Sequence, residues 1–318
     1  MPAGARLKGA TLKLEVYILK KAMKLVQLLS KAYWHFFKFM PCEMILKRQW
    51  AEYARIKEKY ALHDFDLSTI TQSFNDVNQG KVIWFFWNTG IENAPLIVKK
   101  CYESLLKNAV EDGWKVVVLT ETEVKKYIQL PPFIEELKEK GKMWYALYSD
   151  LIRLALLYCY GGIWCDATCY LTKPIPQEVL NSPLFFFEFA SITHWSPYRY
   201  ENWFIRAEKK NYVIERILKG LLFYWSQQRS KQDYFVWFHI QNALYLNDEK
   251  SKKMMDDMWY CCNYDAMLIQ IKYGLDSAYE EKKWNEIMSH CFVQKLTYKY
   301  DQSLENTKEM NLLNYILK

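Results

Sequence analysis

The run Tyr148-Ser-Asp-Leu-Ile-Arg-Leu-Ala-Leu-Leu-Tyr-Cys-Tyr-Gly-Gly-Ile-Trp-Cys-Asp-Ala-Thr168 constrains the fold more than any other part of the chain. An apolar helical stretch runs into a Gly161-Gly162 break, and a short strand then ends on the single acid Asp166. Asp150 and Arg153 stand three residues apart and therefore share one face of the helix. A glycine pair lets the backbone turn sharply and approach a ligand or a neighbouring strand closely. A carboxylate where a strand ends lies where open α/β sheets bind ligands. A surface ion pair is the commonest use of Asp and Arg at this spacing and is worth little. This helix, however, is apolar nearly all round, so a charged pair on it is expected to be buried and to serve a site.

The flanking segments extend the same alternation. Lys81-Val-Ile-Trp-Phe-Phe-Trp87 has the length and composition of a buried strand. A helix is expected from Pro95 to about Asn108, and a second strand over Trp114–Leu119, rich in β-branched residues. A short helix follows from Thr122, with Pro131-Pro132 read as its end, then a helix near Ile134–Lys140 and the central helix Met143–Tyr160. Leu184–Phe189 is a further strand, and beyond Trp203 the pattern is mostly helical, most clearly over Glu208–Tyr224 and Tyr234–Tyr245. Strand and helix in this order predict an α/β fold with a mostly parallel central sheet and extra helices at both ends.

Charge divides the chain. Residues 1–60 carry 13 Lys and Arg against four acids, a net +9, so the rest of this +7 chain sums to −2. The main domain therefore offers no basic groove for nucleic acid. From about Leu12 to Met40, apolar residues recur at helical spacing opposite a lysine-rich face, with Trp34 and Phe36 near its end. Such a helix suits an anionic membrane surface, or packs on the domain or a second subunit. Pro41 interrupts it, residues 42–60 read as helical, and Asp64–Gly80 is polar and turn-rich. The expected division is a basic N-terminal segment, 1–75, and a catalytic domain, 76–318. No uncharged apolar run reaches the roughly 18 residues of a membrane span, and the start lacks a signal-peptide core. The eight cysteines form no Cys-x-x-Cys pair and no zinc spacing, and they read as reduced core residues of a cytosolic protein.

These residues resemble a known family. Ile83-Trp84, Ser149-Asp150-x-x-Arg153 and Gly161-Gly162-Ile-Trp-x-Asp166-Ala-Thr168 are similar to the sugar-binding DXD region of glycosyltransferase family 32. The tail Leu171-Thr-Lys-Pro174 and the late segment Gln294–Lys299 resemble its bacterial capsular polysaccharide synthesis branch. The likeness covers roughly residues 80–300. It implies a GT-A fold that binds a nucleotide-sugar, a UDP-sugar donor, and a retaining hexosyltransferase without a covalent nucleophile. The acceptor implied is a lipid-linked oligosaccharide of capsule or O-antigen synthesis, at the cytoplasmic face of a bacterial inner membrane or in the cytoplasm. A toxin-like enzyme that glycosylates protein, and a non-catalytic scaffold that binds sugar nucleotides, are the alternatives.

By the same resemblance Trp84 stacks on the nucleobase. Asp150 and Arg153 hold the donor sugar and the departing group, and Asp166 contacts ribose and the hydration of Mn2+ or Mg2+. The second acid of the motif is here Thr168, a weaker metal ligand than a carboxylate. Two arrangements would compensate. Ser289 or His290 completes a metal site with Asp166 and Thr168, or Lys295 and Lys299 neutralise the diphosphate directly. Asp233, His239, Glu188, His194 and Trp195 are candidates for the acceptor side.

Overall fold

The computed structural model describes residues 60, 62–109, 113–189, 199–227 and 234–318. The expected amphipathic helix over 12–40 lies outside these residues, as do Asp233, His194 and Trp195.

Nine strands are present among the described residues: β1 (Thr71–Gln72), β2 (Val82–Phe86), β3 (Lys115–Leu119), β4 (Ile128–Gln129), β5 (Gly162–Asp166), β6 (Cys169–Leu171), β7 (Leu184–Glu188), β8 (Tyr200–Ala207) and β9 (Val293–Lys295). The helices are α1 (Leu96–Ala109), α2 (Glu121–Tyr127), α3 (Pro132–Glu139), α4 (Tyr145–Tyr160), α5 (Gln177–Leu180), α6 (Tyr212–Gln227), α7 (Val236–Asn247), α8 (Glu249–Asp256), α9 (Glu281–His290) and α10 (Leu312–Leu317).

The central sheet has the order β3-β2-β5-β8-β7. Its first three strands are parallel, as expected, with Phe86 paired both to Leu119 and to Asp166. That register brings three strand ends to one edge of the sheet. β8 enters antiparallel to both β5 and β7, so four of the five strands point the same way and the sheet is mostly parallel with one reversed strand. The strand was hidden in Tyr200-Glu-Asn-Trp-Phe-Ile-Arg-Ala, whose polar and apolar residues do not alternate cleanly.

Strands buried on both faces need a helix layer on each. Trp84, Phe86 and Trp164 face a core built with α4, α6 and α7, whereas Ile83, Phe85, Ile163 and Cys165 face one built with α1, α9 and α10. One correction lies in the periphery. Pro132 opens α3 at a position where a missing N–H costs nothing, while α2 had already ended at Tyr127. Just ahead of the expected boundary at 75, Ile70 is buried in the core and β1 pairs with β4. No helix among the described residues is long and apolar enough to cross a membrane.

Candidate functional site

Alternation along β5 places Trp164 and Asp166 on the face covered by α4. Asp150 and Arg153 project from that helix to meet them. One Arg153 Nη2 lies 3.4 Å from Asp150 Oδ1 and 3.3 Å from Asp166 Oδ1. The guanidinium also donates to the Asn202 carbonyl, and its carbon lies 5.1 Å from the centre of the Trp164 ring. Asn202 Nδ2 in turn donates to Asp150 Oδ1 at 3.3 Å. The paired charges on an apolar helix are therefore buried against a strand end and form no surface ion pair.

A second cation arrives from far along the chain. β6 follows Asp166 after a two-residue turn and pairs antiparallel with β9, setting Cys169 opposite Lys295. Leu296 N donates to the Thr168 carbonyl at 2.7 Å, which fixes the lysine beside the turn. Lys295 Nζ then lies 2.9 Å from Asp166 Oδ2 and 2.7 Å from Thr168 Oγ1. Trp164 Nε1 donates to Asp166 Oδ1 at 2.7 Å. Asp150, Arg153, Asp166, Thr168 and Lys295 thus form one cluster at the sheet edge where β2, β3 and β5 end.

Its electrostatics are divided. Burial acts to raise the Asp166 carboxyl, but the Lys295 ammonium and the Arg153 guanidinium outweigh it and hold the group below its usual value. Burial acts in the opposite sense on Lys295, and Asp166 outweighs it, so the ammonium is held more firmly than usual. Asp150 is pushed up to about 7 by burial, with Arg153 opposing and Asp166 adding. Glu201, which the sequence reading missed together with Asn202, is also pushed up to about 7 by burial and accepts from Asn263 Nδ2 at 2.9 Å. Both missed residues lie on β8, and recognising that strand would have found them.

Other expected residues are not brought together. Trp84 is fully buried, donates from Nε1 to the Gly161 carbonyl at 3.0 Å and packs edge-on against Tyr127. Both faces of its indole are used by the core, so it offers no platform for a base. The aromatic at the open strand end is Trp87, half-buried and edge-on to the exposed Tyr298. Lys299 is exposed, with its Nζ 5.7 Å from the Tyr298 ring centre, and makes no contact with Asp166. His290 ends α9, where its Nδ1 lies 2.8 Å from the Glu286 carbonyl. Its neighbour Ser289 offers its carbonyl to Lys173, two residues past the end of β6. The Ser289 hydroxyl and the His290 Nδ1 are turned to the Glu286 carbonyl of their own helix, away from any bond with Asp166. Glu188 ends β7 and pairs with Arg199 at 3.7 Å, while His239 is buried on α7.

The glycine pair serves packing. Gly161 and Gly162 have φ of +71° and +100° and lie at the start of β5, the end opposite Asp166. A Cβ on Gly162 would stand 2.3 Å from the Val82 carbonyl oxygen, and one on Gly161 would stand 2.6 Å from Lys209 N. They let backbones, rather than a ligand, come close. A cleft of about 980 Å3 opens at that opposite edge beside Gly162, Arg206 and Lys209. None of the expected site residues except Gly162 lines it.

The sequence matches the capsular polysaccharide synthesis protein family over residues 20–316. The chain belongs to that family, and the match begins well before the motif-bearing part. Among curated proteins it is 29% identical over 126 residues to the O-glycosyltransferase braB of Annulohypoxylon truncatum, covering 37% of this chain and 30% of that protein. It is 26% identical over 136 residues to the O-glycosyltransferase PaGT of Phomopsis amygdali, covering 40% of this chain and 33% of that one. The matched region thus spans about a third of each relative's length. The solved structure of PaToxG Glycosyltransferase superposes with a TM-score of 0.35 at 15% identity, over 66% of this chain and 82% of that chain.

Proposed function

We propose that this member of the capsular polysaccharide synthesis family transfers a hexose from a UDP-sugar, with retention, to a hydroxyl of a lipid-linked oligosaccharide. One observation carries the reading: two cations and two acids, Arg153, Lys295, Asp150 and Asp166, converge where the parallel strands end. Ligands of open α/β sheets bind at this edge. Family membership and relatives named as glycosyltransferases support the same class of reaction.

The chemistry follows from the groups present. Transfer breaks the bond between the sugar C1 and a diphosphate oxygen, and that oxygen keeps the electron pair. The acceptor hydroxyl forms the new bond to C1 on the same face, and its proton passes to the departing diphosphate. Lys295 and Arg153 stabilise the charge that develops on the leaving oxygens. Asp150, held partly protonated near neutrality, and Asp166 accept hydrogen bonds from sugar hydroxyls and fix C1 for attack. Trp87 and Tyr298, at the open end of β2, supply the aromatic surface for a base that the buried Trp84 does not. A divalent metal would supply leaving-group stabilisation, and Asp166 and Thr168 are the residues that the resemblance assigns to it.

The basic segment 1–60 suits an anionic membrane surface, where a lipid-linked acceptor would be met. Charge reversal at Lys20, Lys21 and Lys24 should abolish flotation with anionic liposomes, and unchanged flotation would remove that placement. The transfer reaction is tested by release of UDP, GDP or CMP from a panel of nucleotide-sugars, with lipid-linked saccharides and simple alcohols as acceptors. Selective turnover of one UDP-sugar supports the reading. Binding and turnover absent across the whole panel would refute it.

A further inference from the structure

Lys295 stands where the second acid of the motif would need to hold a cation. Its ammonium lies between Asp166 Oδ2, at 2.9 Å, and Thr168 Oγ1, at 2.7 Å. The other oxygen of Asp166 is already used, accepting from Trp164 Nε1 at 2.7 Å and facing Arg153 Nη2 at 3.3 Å. A Mn2+ or Mg2+ ion needs several oxygen donors, with carboxylates prominent among them. Here it would find Asp166 with both oxygens engaged, Asp150 turned to Arg153 and Asn202, one neutral hydroxyl, and an ammonium within bonding distance of Asp166 and Thr168. Like charges in a partly buried site repel strongly. Among the described residues no group of three His, Cys, Asp or Glu side chains could take the ion instead. The donor set does not fit a divalent cation.

We propose that the Lys295 ammonium replaces the divalent metal, so that donor binding and transfer proceed without one. This inference rests on the nucleotide-sugar reading above. The position is built into the fold. The β6 and β9 pairing fixes the lysine backbone, and Asp166 and Thr168 each accept one N–H. The third N–H is left to donate to a diphosphate oxygen. As the bond from C1 to that oxygen breaks and the oxygen keeps the pair, the charge grows beside a fixed ammonium, with Arg153 adjacent. Asp166 then serves as the anchor of Lys295, and Thr168 is the residue this arrangement needs. An acid there would draw the ammonium away from phosphate and open the site to metal.

The test uses the full chain and three readouts: Mn2+ binding by electron paramagnetic resonance, UDP binding by calorimetry, and UDP-sugar turnover. The wild type should bind no Mn2+ at this site, and its UDP affinity and turnover should be the same in excess EDTA as in Mn2+. Lys295→Met should weaken UDP binding about tenfold or more, as expected for loss of a charge-assisted hydrogen bond. The double variant Thr168→Asp with Lys295→Ala should gain Mn2+ binding and regain UDP affinity only when Mn2+ is present. Strengthening of wild-type UDP binding by Mn2+ of about tenfold or more would overturn the inference and leave the transferase reading intact. Failure of UDP to bind with or without Mn2+ would overturn both.

Discussion

Replacing Trp84 by phenylalanine separates a core role for this side chain from a role in holding a nucleobase. The indole is fully buried and its Nε1 donates at 3.0 Å to the Gly161 carbonyl, the residue that joins α4 to β5. Phenylalanine keeps most of the ring against Tyr127 and Tyr160 but cannot make that bond. An unpaired buried carbonyl costs about 1–3 kcal/mol. The space left by the smaller ring adds about 1–2 kcal/mol, since close-packed strands collapse little. The sum is roughly 3 kcal/mol, which in a domain of this size lowers Tm by about 6–12 °C. Thermal unfolding and UDP-sugar kinetics on the same samples give the answer. The Tm should fall as stated while the donor KM stays within about twofold. Trp87→Ala should show the reverse, a raised donor KM with a small change in Tm. An unchanged Tm for Trp84→Phe together with a tenfold rise in donor KM, about 1.4 kcal/mol of lost binding, would refute the reasoning.

Three other substitutions probe the site and its frame. Asp166→Asn should lower turnover about 100-fold or more in a chain that still folds by circular dichroism, and wild-type turnover would remove Asp166 from the chemistry. Gly162→Ala forces a Cβ to 2.3 Å from the Val82 carbonyl oxygen, whereas at Gly113, φ +79°, nothing lies within 4 Å of the added atom. Urea unfolding should therefore show a loss of about 3 kcal/mol or more for Gly162→Ala and only about 1 kcal/mol for Gly113→Ala, and equal losses would refute the close approach. Asp150 titrates near 4 when unfolded and about 7 when folded, so between these values the native chain holds a proton that the unfolded chain has released. Its contribution to stability therefore falls as pH rises through that window. Asp150→Asn should flatten the decline in Tm between about pH 4 and pH 7, and an unaltered pH profile would contradict the shift.

The strands and helices that build the α/β frame could be read directly because their signals are local. Val82–Phe86, Lys115–Leu119 and the apolar helix ending at Gly161 carry their period and their stops within a dozen residues. Asp150, Arg153 and Asp166 were legible for the same reason: they share one short motif, and helix spacing and strand polarity alone bring them together. β8 was missed because its pairing, and not its own pattern, makes it a strand, and Glu201 and Asn202 were lost with it. Trp84 and Trp87 lie three residues apart on one apolar run. Nothing in that run says which of them ends in the core, because that depends on the strand's neighbours and on where the sheet stops.

The sequence by itself determined the alternation of strands and helices, the strands β2, β3 and β5 and the acid that ends β5, since each is signalled by residues near in the chain. Only the tertiary structure decided that Lys295, 129 positions after Asp166, would stand between it and Thr168 while Lys299 and His290 would not. That choice depends on the β6 and β9 register, a long-range pairing that moves side chains about 3.3 Å for each residue of slip. No local pattern encodes such a register, and the charge at the centre of the site depends on it.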